Sequence, residues 1–218
     1  MMQSLINQIL AYVPKEQVAL MARETGRPDC RGKPYMGSKY KRDRIEMVAK
    51  WCLNRYAGDL IEIGVLAGGT TVRLAKLAHQ YNRRVVAVDP WIPSTTGYKA
   101  HGGCTSSTML EFFANTKKYR HLIDVIHAYS QAEAVVRSIK KRALCFAYID
   151  GAHFYEECST DIETVSHCAG IIMLDDLWMA GVLQAFEEAG QKPDREAFSH
   201  RVLAEGYLLP VLHVEDQC

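Results

Sequence analysis

YIDGAHFYEE, residues Tyr148 to Glu157, ends an apolar run with an acid, turns at a glycine and then enters a helical segment. Asp150 closes the apolar run, Gly151 provides the turn, and His153 precedes a helix that we predict to begin near Tyr155. A strand that leads through a short turn into a helix is one step of an alternating α/β chain. The stretch therefore predicts a buried strand whose carboxyl end carries chemically useful side chains.

The same alternation extends along most of the chain. Apolar runs of strand length lie at Asp59 to Ile63, Arg84 to Val88, Leu122 to His127, Leu144 to Ile149 and Gly170 to Leu174. Helical stretches lie near Thr70 to Tyr81, Thr105 to Lys118, Gln131 to Lys140, Glu156 to Cys168 and Met179 to Ala189. Strands and helices in alternation form a parallel sheet with helices on both faces. We therefore predict an α/β fold with a doubly wound, mostly parallel sheet.

The two ends of the chain depart from this pattern. Residues 1 to 39 combine an apolar helical stripe with a loop rich in Gly, Pro, Arg and Lys, which predicts a helical cap and a lid loop. Residues 40 to 218 form the main domain in this interpretation. Near the carboxyl terminus, Arg201 to Glu205 and Leu208 to Val214 predict two strands that form an antiparallel hairpin at one lateral edge of the sheet.

Composition limits the class of protein. The chain has 218 residues, 48% of them hydrophobic, and a formal net charge of +1, which favours a globular domain and gives no basic field for nucleic acid. The seven cysteines are odd in number and contain no C-x-x-C pair, which favours a reducing cytoplasm over a disulfide framework. No apolar run is long enough to span a membrane. We expect a cytoplasmic protein without a nucleic-acid or membrane partner, and the sequence is compatible with a homo-oligomer.

A glycine-rich turn follows the first predicted strand. In EIGVLAGGTT, which begins at Glu62, Gly64, Gly68 and Gly69 permit a tight turn and a close approach to a ligand. The next helix would direct its free amide groups at an anionic ligand. The spacing differs from the G-x-G-x-x-G fingerprint of dinucleotide-binding proteins. The glycines indicate either ligand contact or close packing of strand and helix.

The second and third strands end in residues suited to a nucleoside. Asp89 in VAVDPW stands where an acid can accept hydrogen bonds from both ribose hydroxyls of an adenosine. Trp91 could lie against adenine or belong to the core. Ser130 and Gln131 follow the third strand, where Ser130 either caps the next helix or faces the nucleoside. Together these residues suit an adenosine ligand without phosphates.

Two further acids, Asp175 and Asp176, close the run Gly170 to Leu174. Because neighbouring parallel strands end at the same side of a sheet, we expect them to meet Asp150 and His153 there. Carboxylates ~4.8 Å apart repel by about 3 kcal/mol at an effective dielectric near 20, so a cation should lie between them. An all-oxygen set suits magnesium or manganese rather than zinc. Alternatively, one acid caps the following helix while Asp150 pairs with an arginine.

Four motifs in order, EIGVLAGGT, VDPW, IDGAHFYE and LDDLW, resemble those of the class I S-adenosylmethionine-dependent methyltransferases. Within that class the resemblance is to the metal-dependent O-methyltransferases that act on sugars of macrolides and related natural products, the macrocin O-methyltransferase-like group. It spans roughly Tyr40 to Ala189. It implies a Rossmann-like fold, S-adenosylmethionine as cofactor, a divalent cation, usually Mg²⁺, and a small-molecule hydroxyl, most readily of a sugar, as methyl acceptor.

The resemblance also implies roles for individual residues. The predicted cofactor site comprises Glu62, Gly64, Gly68, Asp89, Trp91, Ser130, Gln131 and Asp150. The residues of the glycine-rich turn would hold the methionine portion of the cofactor, Asp89 the ribose, and the residues after the third strand the adenine surroundings. The predicted metal ligands are Asp150, Asp175 and Asp176, and His153 matches the histidine that some members use as general base.

Methyl transfer from a sulfonium requires donor and acceptor oxygen at near-attack distance, and it requires removal of the hydroxyl proton. A cation at the three acids could bind the acceptor and make its hydroxyl more acidic, and an imidazole such as that of His153 can accept a proton at neutral pH. Three alternatives stay open. They are methylation of a catechol-like phenol, an NAD-dependent oxidoreductase, which the glycine spacing disfavours, and a cofactor-binding module without catalysis.

Overall fold

The computed structural model describes residues 39–92, 106–176, 179–191 and 202–204, and the predicted cap and lid of residues 1–39 lie almost wholly outside these ranges. The described helices are α1 Lys39–Leu53, α2 Gly69–Tyr81, α3 Ser106–Thr116, α4 Glu133–Lys140, α5 Tyr155–Thr164 and α6 Ala180–Gln191. The described strands are β1 Asp59–Ile63, β2 Val85–Val88, β3 Ile123–Ile126, β4 Leu144–Ile149, β5 Ile171–Leu174 and β6 Val202–Ala204. A 3₁₀ helix, Lys117–Leu122, leads from α3 into β3.

The strands form one sheet in the order β3-β2-β1-β4-β5-β6, and every neighbouring pair is parallel. This confirms the predicted doubly wound parallel sheet, with helices between successive strands. The chain moves outward from β1 to β3 and then crosses to β4 on the other side of β1. The order therefore reverses between β1 and β4, which is where ligands bind in sheets of this kind.

The lateral edge beyond β5 differs from the sequence prediction. β6 pairs in parallel with β5, from Ile172 opposite Val202 to Leu174 opposite Ala204. Because helix α6 crosses over between the two strands, the chain returns in the same direction, as in any strand–helix–strand unit. The predicted antiparallel hairpin is not shown, and its second strand, residues 208–214, lies outside the described residues.

Strand β4 lies in the centre of the core, and all six of its residues are buried. Phe146 and Tyr148 pack into the apolar cluster on one face of the sheet, whereas Ala147 and Ile149 pack into the cluster on the other face. Burial on both faces explains why the central strands read as continuous apolar runs rather than as alternating ones. None of the helices in the described ranges is long and apolar enough to cross a membrane.

The cysteines of the described ranges belong to this core. Cys52, Cys145, Cys158 and Cys168 are buried, and each is a thiol rather than half of a disulfide. Burial raises the pKa of the Cys145 and Cys158 thiols to about 12, so both stay protonated at neutral pH. These thiols therefore behave as small apolar side chains.

Candidate active site

The loops after the parallel strands all open on one side of the sheet, here called the carboxyl edge. Glu62, near the end of β1, has a side chain that is almost fully buried below this edge. Its Oε2 accepts a hydrogen bond of 2.6 Å from the hydroxyl of Thr71 in helix α2. A buried carboxylate is stable only when it is hydrogen-bonded, so this contact fixes an acid beneath the glycine-rich turn.

Two glycines of this turn have left-handed backbone conformations. Gly64 has φ 83°, and a Cβ atom on it would lie 2.0 Å from the carbonyl oxygen of Asp150. Gly68 has φ 79° and forms the N-cap of α2, and a Cβ atom there would lie 2.8 Å from the ring of Phe112. Close packing accounts for both glycines, which is one of the two alternatives drawn from the sequence. It also brings Asp150 against the turn, and a role of the glycines in holding a cofactor stays a prediction.

Asp89 follows β2 and ties the glycine-rich turn to that strand. Its Oδ2 accepts the backbone N–H groups of Val65 and Leu66 at 2.9 and 3.0 Å, and its Oδ1 accepts that of Trp91 at 2.7 Å. Burial raises the pKa of Asp89, and these three amide groups oppose the rise. A carboxylate has about four acceptor sites, so room is left for about one more hydrogen bond. In this conformation Asp89 cannot accept both ribose hydroxyls unless an amide group releases it, and the ribose contact stays a prediction.

Trp91 lies in the core in this structure. Its side chain is 4% exposed, its Nε1 donates a hydrogen bond of 2.9 Å to the carbonyl of Leu66, and its ring packs 5.0 Å from that of Phe112. The ring of His127 lies 5.4 Å away on another side. This packing favours the core alternative for the indole, and its predicted contact with adenine stays a prediction.

Ser130 and Gln131 lie beside an acid that sequence reasoning missed. The side-chain amide of Gln131 donates to Oδ1 of Asp161 at 3.0 Å, and Asp161 is fully buried on helix α5. Burial raises the pKa of Asp161 to about 7, against the opposing effect of Ser130 and Gln131. Helix α4 has its N-cap at Ala132, so the suggestion that Ser130 caps this helix is wrong. The contact of Ser130 and Gln131 with adenine stays a prediction.

The sequence carried a signal for the burial of Asp161. The residue stands three positions after Cys158 and four positions before Val165, both of which are buried in the core. Residues at this spacing share one face of a helix. An acid on the apolar face of a predicted amphipathic helix indicates a buried carboxyl group, and such groups cluster at functional sites.

The tips of β4 and β5 bring two acids and an imidazole together. Asp150, His153 and Asp176 each offer one ligand atom, and these atoms lie within 4.8 Å of one another. The Nε2 atom of His153 lies 2.7 Å from Oδ2 of Asp176, and both side chains are partly exposed. Asp176 has φ 52°, a left-handed conformation at the residue where β5 gives way to the next loop. The arrangement offers two carboxylates to a cation and sets an imidazole beside them.

Asp175 lies at the same tip but is more buried than Asp150 and Asp176. Its side chain is buried, and its Oδ2 accepts a hydrogen bond of 3.1 Å from the hydroxyl of Tyr148. The same hydroxyl lies 3.5 Å from Oδ2 of Asp150. The structure therefore brings all three predicted acids to one place, with His153 beside Asp176 and Tyr148 beside Asp175.

This donor set fits the cation that the motifs predict. Carboxylate oxygens are the ligands that magnesium and manganese prefer, whereas imidazole suits zinc, copper, iron and nickel, so the acids are the ligands that fit the predicted cation. The side chains of Asp150, His153 and Asp176 are neither fully buried nor fully exposed, so a cation could enter while an acceptor oxygen completes its coordination. Cation binding itself stays a prediction.

Comparison with known proteins gives the family. The family model described as "Methyltransferase domain" matches residues 61–177, which is more than half of the chain. The match contains the glycine-rich turn, Asp89 and all three acids of the strand tips. No curated protein matches the chain in sequence.

Solved methyltransferases share the fold. CalS11, described as a TDP-rhamnose 3'-O-methyltransferase of calicheamicin biosynthesis, is 15% identical, with 79% of this chain and 83% of that chain covered and a TM-score of 0.51. The O-methyltransferase NovP is 14% identical over 86% of this chain and 90% of that chain, with a TM-score of 0.53. An O-methyltransferase from Bacillus cereus, in complex with SAH, is 14% identical, with 88% of this chain and 89% of that chain covered and a TM-score of 0.53.

Fold, motif order and family match agree. The resemblance carried by the four motifs is confirmed, the enzyme class is that of a methyltransferase, and the sheet is the Rossmann-like one expected for it. The chain belongs to the methyltransferase domain family.

Proposed function

We propose that the protein transfers a methyl group from S-adenosylmethionine to a hydroxyl oxygen of a small molecule, in the first instance a sugar, with the help of a divalent cation. The observation that carries this proposal is the convergence of Asp150, His153 and Asp176 within 4.8 Å at the carboxyl edge of a methyltransferase sheet. Acids at this place can bind a cation and an imidazole can accept a proton, which are the two tasks that activation of a hydroxyl requires.

The cofactor would lie across the tips of β1 and β2. S-adenosylmethionine supplies an electrophilic methyl group on a sulfonium centre. Glu62, which Thr71 holds beneath the glycine-rich turn, would face the methionine portion. Asp89 retains about one acceptor site for a ribose hydroxyl. Gln131, which is anchored on Asp161, would stand at the adenine end of the pocket.

The acceptor hydroxyl would bind at the tips of β4 and β5. A divalent cation held by Asp150, Asp175 and Asp176 would lower the pKa of a hydroxyl bound to it. His153 would accept the hydroxyl proton, and its contact with Asp176 would orient the imidazole for that task. Asp176 is shared between the imidazole and the predicted cation, so its replacement should affect both functions at once.

The choice of a sugar acceptor follows from the motif resemblance and from the shared fold. CalS11 is described as a TDP-rhamnose 3'-O-methyltransferase, and its likeness in fold supports nucleotide sugars as the first acceptors to screen. Sugars also carry neighbouring hydroxyls, and two of them could reach one cation together. A catechol-like phenol has the same pair of oxygens and belongs in the same screen.

Calorimetry with S-adenosylhomocysteine and with NAD⁺ tests the cofactor class first. We expect S-adenosylhomocysteine to bind and NAD⁺ to show no saturable binding. Transfer of a labelled methyl group to a panel of nucleotide sugars, free sugars and catechols, with Mg²⁺ and with chelator, then tests the reaction. Binding of NAD⁺ in place of S-adenosylhomocysteine would contradict the proposal. Binding without transfer to any acceptor would favour a cofactor-binding module.

A further inference from the structure

The hydroxyl of Tyr148 lies between two of the predicted cation ligands. It is 3.1 Å from Oδ2 of Asp175 and 3.5 Å from Oδ2 of Asp150. The strand register explains this, because Tyr148 of β4 stands opposite Met173 of β5. Side chains two residues apart on a strand share a face. Asp150, two residues after Tyr148, and Asp175, two residues after Met173, therefore lie on the side of the sheet that Tyr148 occupies.

Tyr148 is fully buried, and its ring belongs to the apolar cluster on that face of the sheet. A buried phenol is tolerated when its hydroxyl has a polar partner, and here the partners are carboxylates. Two neighbouring carboxylates repel each other, and an O–H dipole directed at them reduces this repulsion. The single proton can go to one oxygen at a time, and the shorter distance favours Asp175.

We propose that Tyr148 is a positioning residue of the cation site. Its hydroxyl holds the carboxylate of Asp175 beside that of Asp150, so that both acids keep the spacing that a cation needs. This inference rests on the proposed function, because it requires a cation at these acids. Groups that hydrogen-bond to metal ligands fix the orientation of those ligands, and their loss lowers metal affinity by roughly 10- to 100-fold.

The first test is the affinity for Mn²⁺ alone, measured from the electron paramagnetic resonance signal of the free ion. Tyr148→Phe keeps the ring in the core and removes only the hydroxyl, and we expect it to bind Mn²⁺ about tenfold more weakly than the parent. Tyr81→Phe is the matched control, since the hydroxyl of Tyr81 donates to Asn54 at an exposed position away from the acids. The control should bind as the parent does. Parent-like affinity in Tyr148→Phe would overturn the inference.

The second test asks whether Tyr148 acts through Asp175. In an Asp175→Asn background, Tyr148→Phe should have little further effect on Mn²⁺ affinity, because the carboxylate that the hydroxyl positions is already gone. Equal losses in both backgrounds would overturn the inference and leave the proposed function standing. Failure of the parent to bind Mn²⁺ would overturn the cation part of the proposed function, and the inference with it. Circular dichroism of each variant checks that it is folded.

Discussion

Individual residues at the carboxyl edge differ in burial and in hydrogen bonding, and their proposed roles differ accordingly. Glu62 and Asp89 are buried and bound to a hydroxyl or to backbone amide groups, whereas His153 and Asp176 are partly exposed and contact each other. Groups that are fixed by hydrogen bonds suit the binding of a ligand, and partly exposed groups suit proton exchange. The predictions at this scale therefore separate binding from turnover.

His153→Ala should keep the affinity for S-adenosylhomocysteine and lose methyl transfer by about 10²- to 10⁴-fold, because the hydroxyl proton would have no acceptor. Calorimetry and a methyl-transfer assay measure the two effects. His167→Ala is the control, since the Nε2 atom of His167 contacts the carbonyl of Arg142, away from the acids. Near-normal turnover in His153→Ala would remove His153 from the proposed mechanism.

Asp161 predicts a pH dependence of stability. Burial raises its pKa from 3.8 to about 7 in the folded protein, so between these values the unfolded chain has released the proton and the folded protein still holds it. Stability should therefore fall as pH rises through this window, by about 1.4 kcal/mol per pH unit at most. Asp161→Asn cannot ionise, so its stability relative to the parent should increase from pH 5 to pH 8 in urea unfolding. If the stabilities of the parent and of Asp161→Asn changed in parallel with pH, burial would not raise the pKa of Asp161.

Asp124 provides the contrast, because hydrogen bonds from Arg84 lower its pKa, and those from Arg142 add to the effect. Asp124 contributes stability when it is ionised, and this contribution is lost as pH falls toward its lowered pKa. Asp124→Asn should therefore destabilise the protein at neutral pH and lose this effect in acid.

At the level of elements, the site depends on how closely the tips of β1 and β4 approach. The backbone at Gly64 lies against the carbonyl of Asp150, and the N–H of Asp150 bonds to the carbonyl of Ile63 at 2.8 Å. This contact fixes the position of Asp150 relative to the glycine-rich turn. The glycine-rich turn and the acids of the strand tips are thus joined by backbone atoms, which side-chain substitutions elsewhere would leave in place.

Gly64→Ala should destabilise the protein by more than about 4 kcal/mol, because a Cβ atom 2.0 Å from a backbone oxygen forces the two strand tips apart. Gly151→Ala is the matched control on the facing loop, where the nearest atoms are side-chain atoms at 3.2 Å or more. We expect it to cost about 1 kcal/mol or less. Urea unfolding measures both, and equal stability of the two variants would contradict the packing role of Gly64.

At the level of the whole molecule, the reversal of strand order between β1 and β4 sets the glycine-rich turn beside the acids of the strand tips. The ends of β1, β2 and β3 carry all of the predicted cofactor residues except Asp150, and the tips of β4 and β5 carry the acids. Loops that follow strands on opposite sides of the switch point can therefore hold two different ligands against one another. Metal and cofactor binding should accordingly be separable.

Chelator should abolish methyl transfer by the parent and leave the binding of S-adenosylhomocysteine intact, since all of the predicted cofactor residues except Asp150 lie at the ends of other strands than the acids. Asp176→Ala should show the same loss with Mg²⁺ present, because it removes one ligand and the partner of His153. Transfer assays and calorimetry with and without Mg²⁺ measure this. Turnover by the parent that is indifferent to chelator would count directly against the cation.

The sequence by itself determined the order of strands and helices, the parallel sheet and the meeting of Asp150, Asp175 and Asp176 at one place. Apolar runs and helical stripes are local signals, and parallel strands end on the same side whatever their neighbours are. Only the tertiary structure decided which way each side chain faces: Asp175 toward Tyr148, His153 toward Asp176, and Trp91 into the core. It also made β6 parallel to β5. The physical reason is that orientation and pairing depend on atoms brought from distant parts of the chain, and no local pattern encodes those contacts.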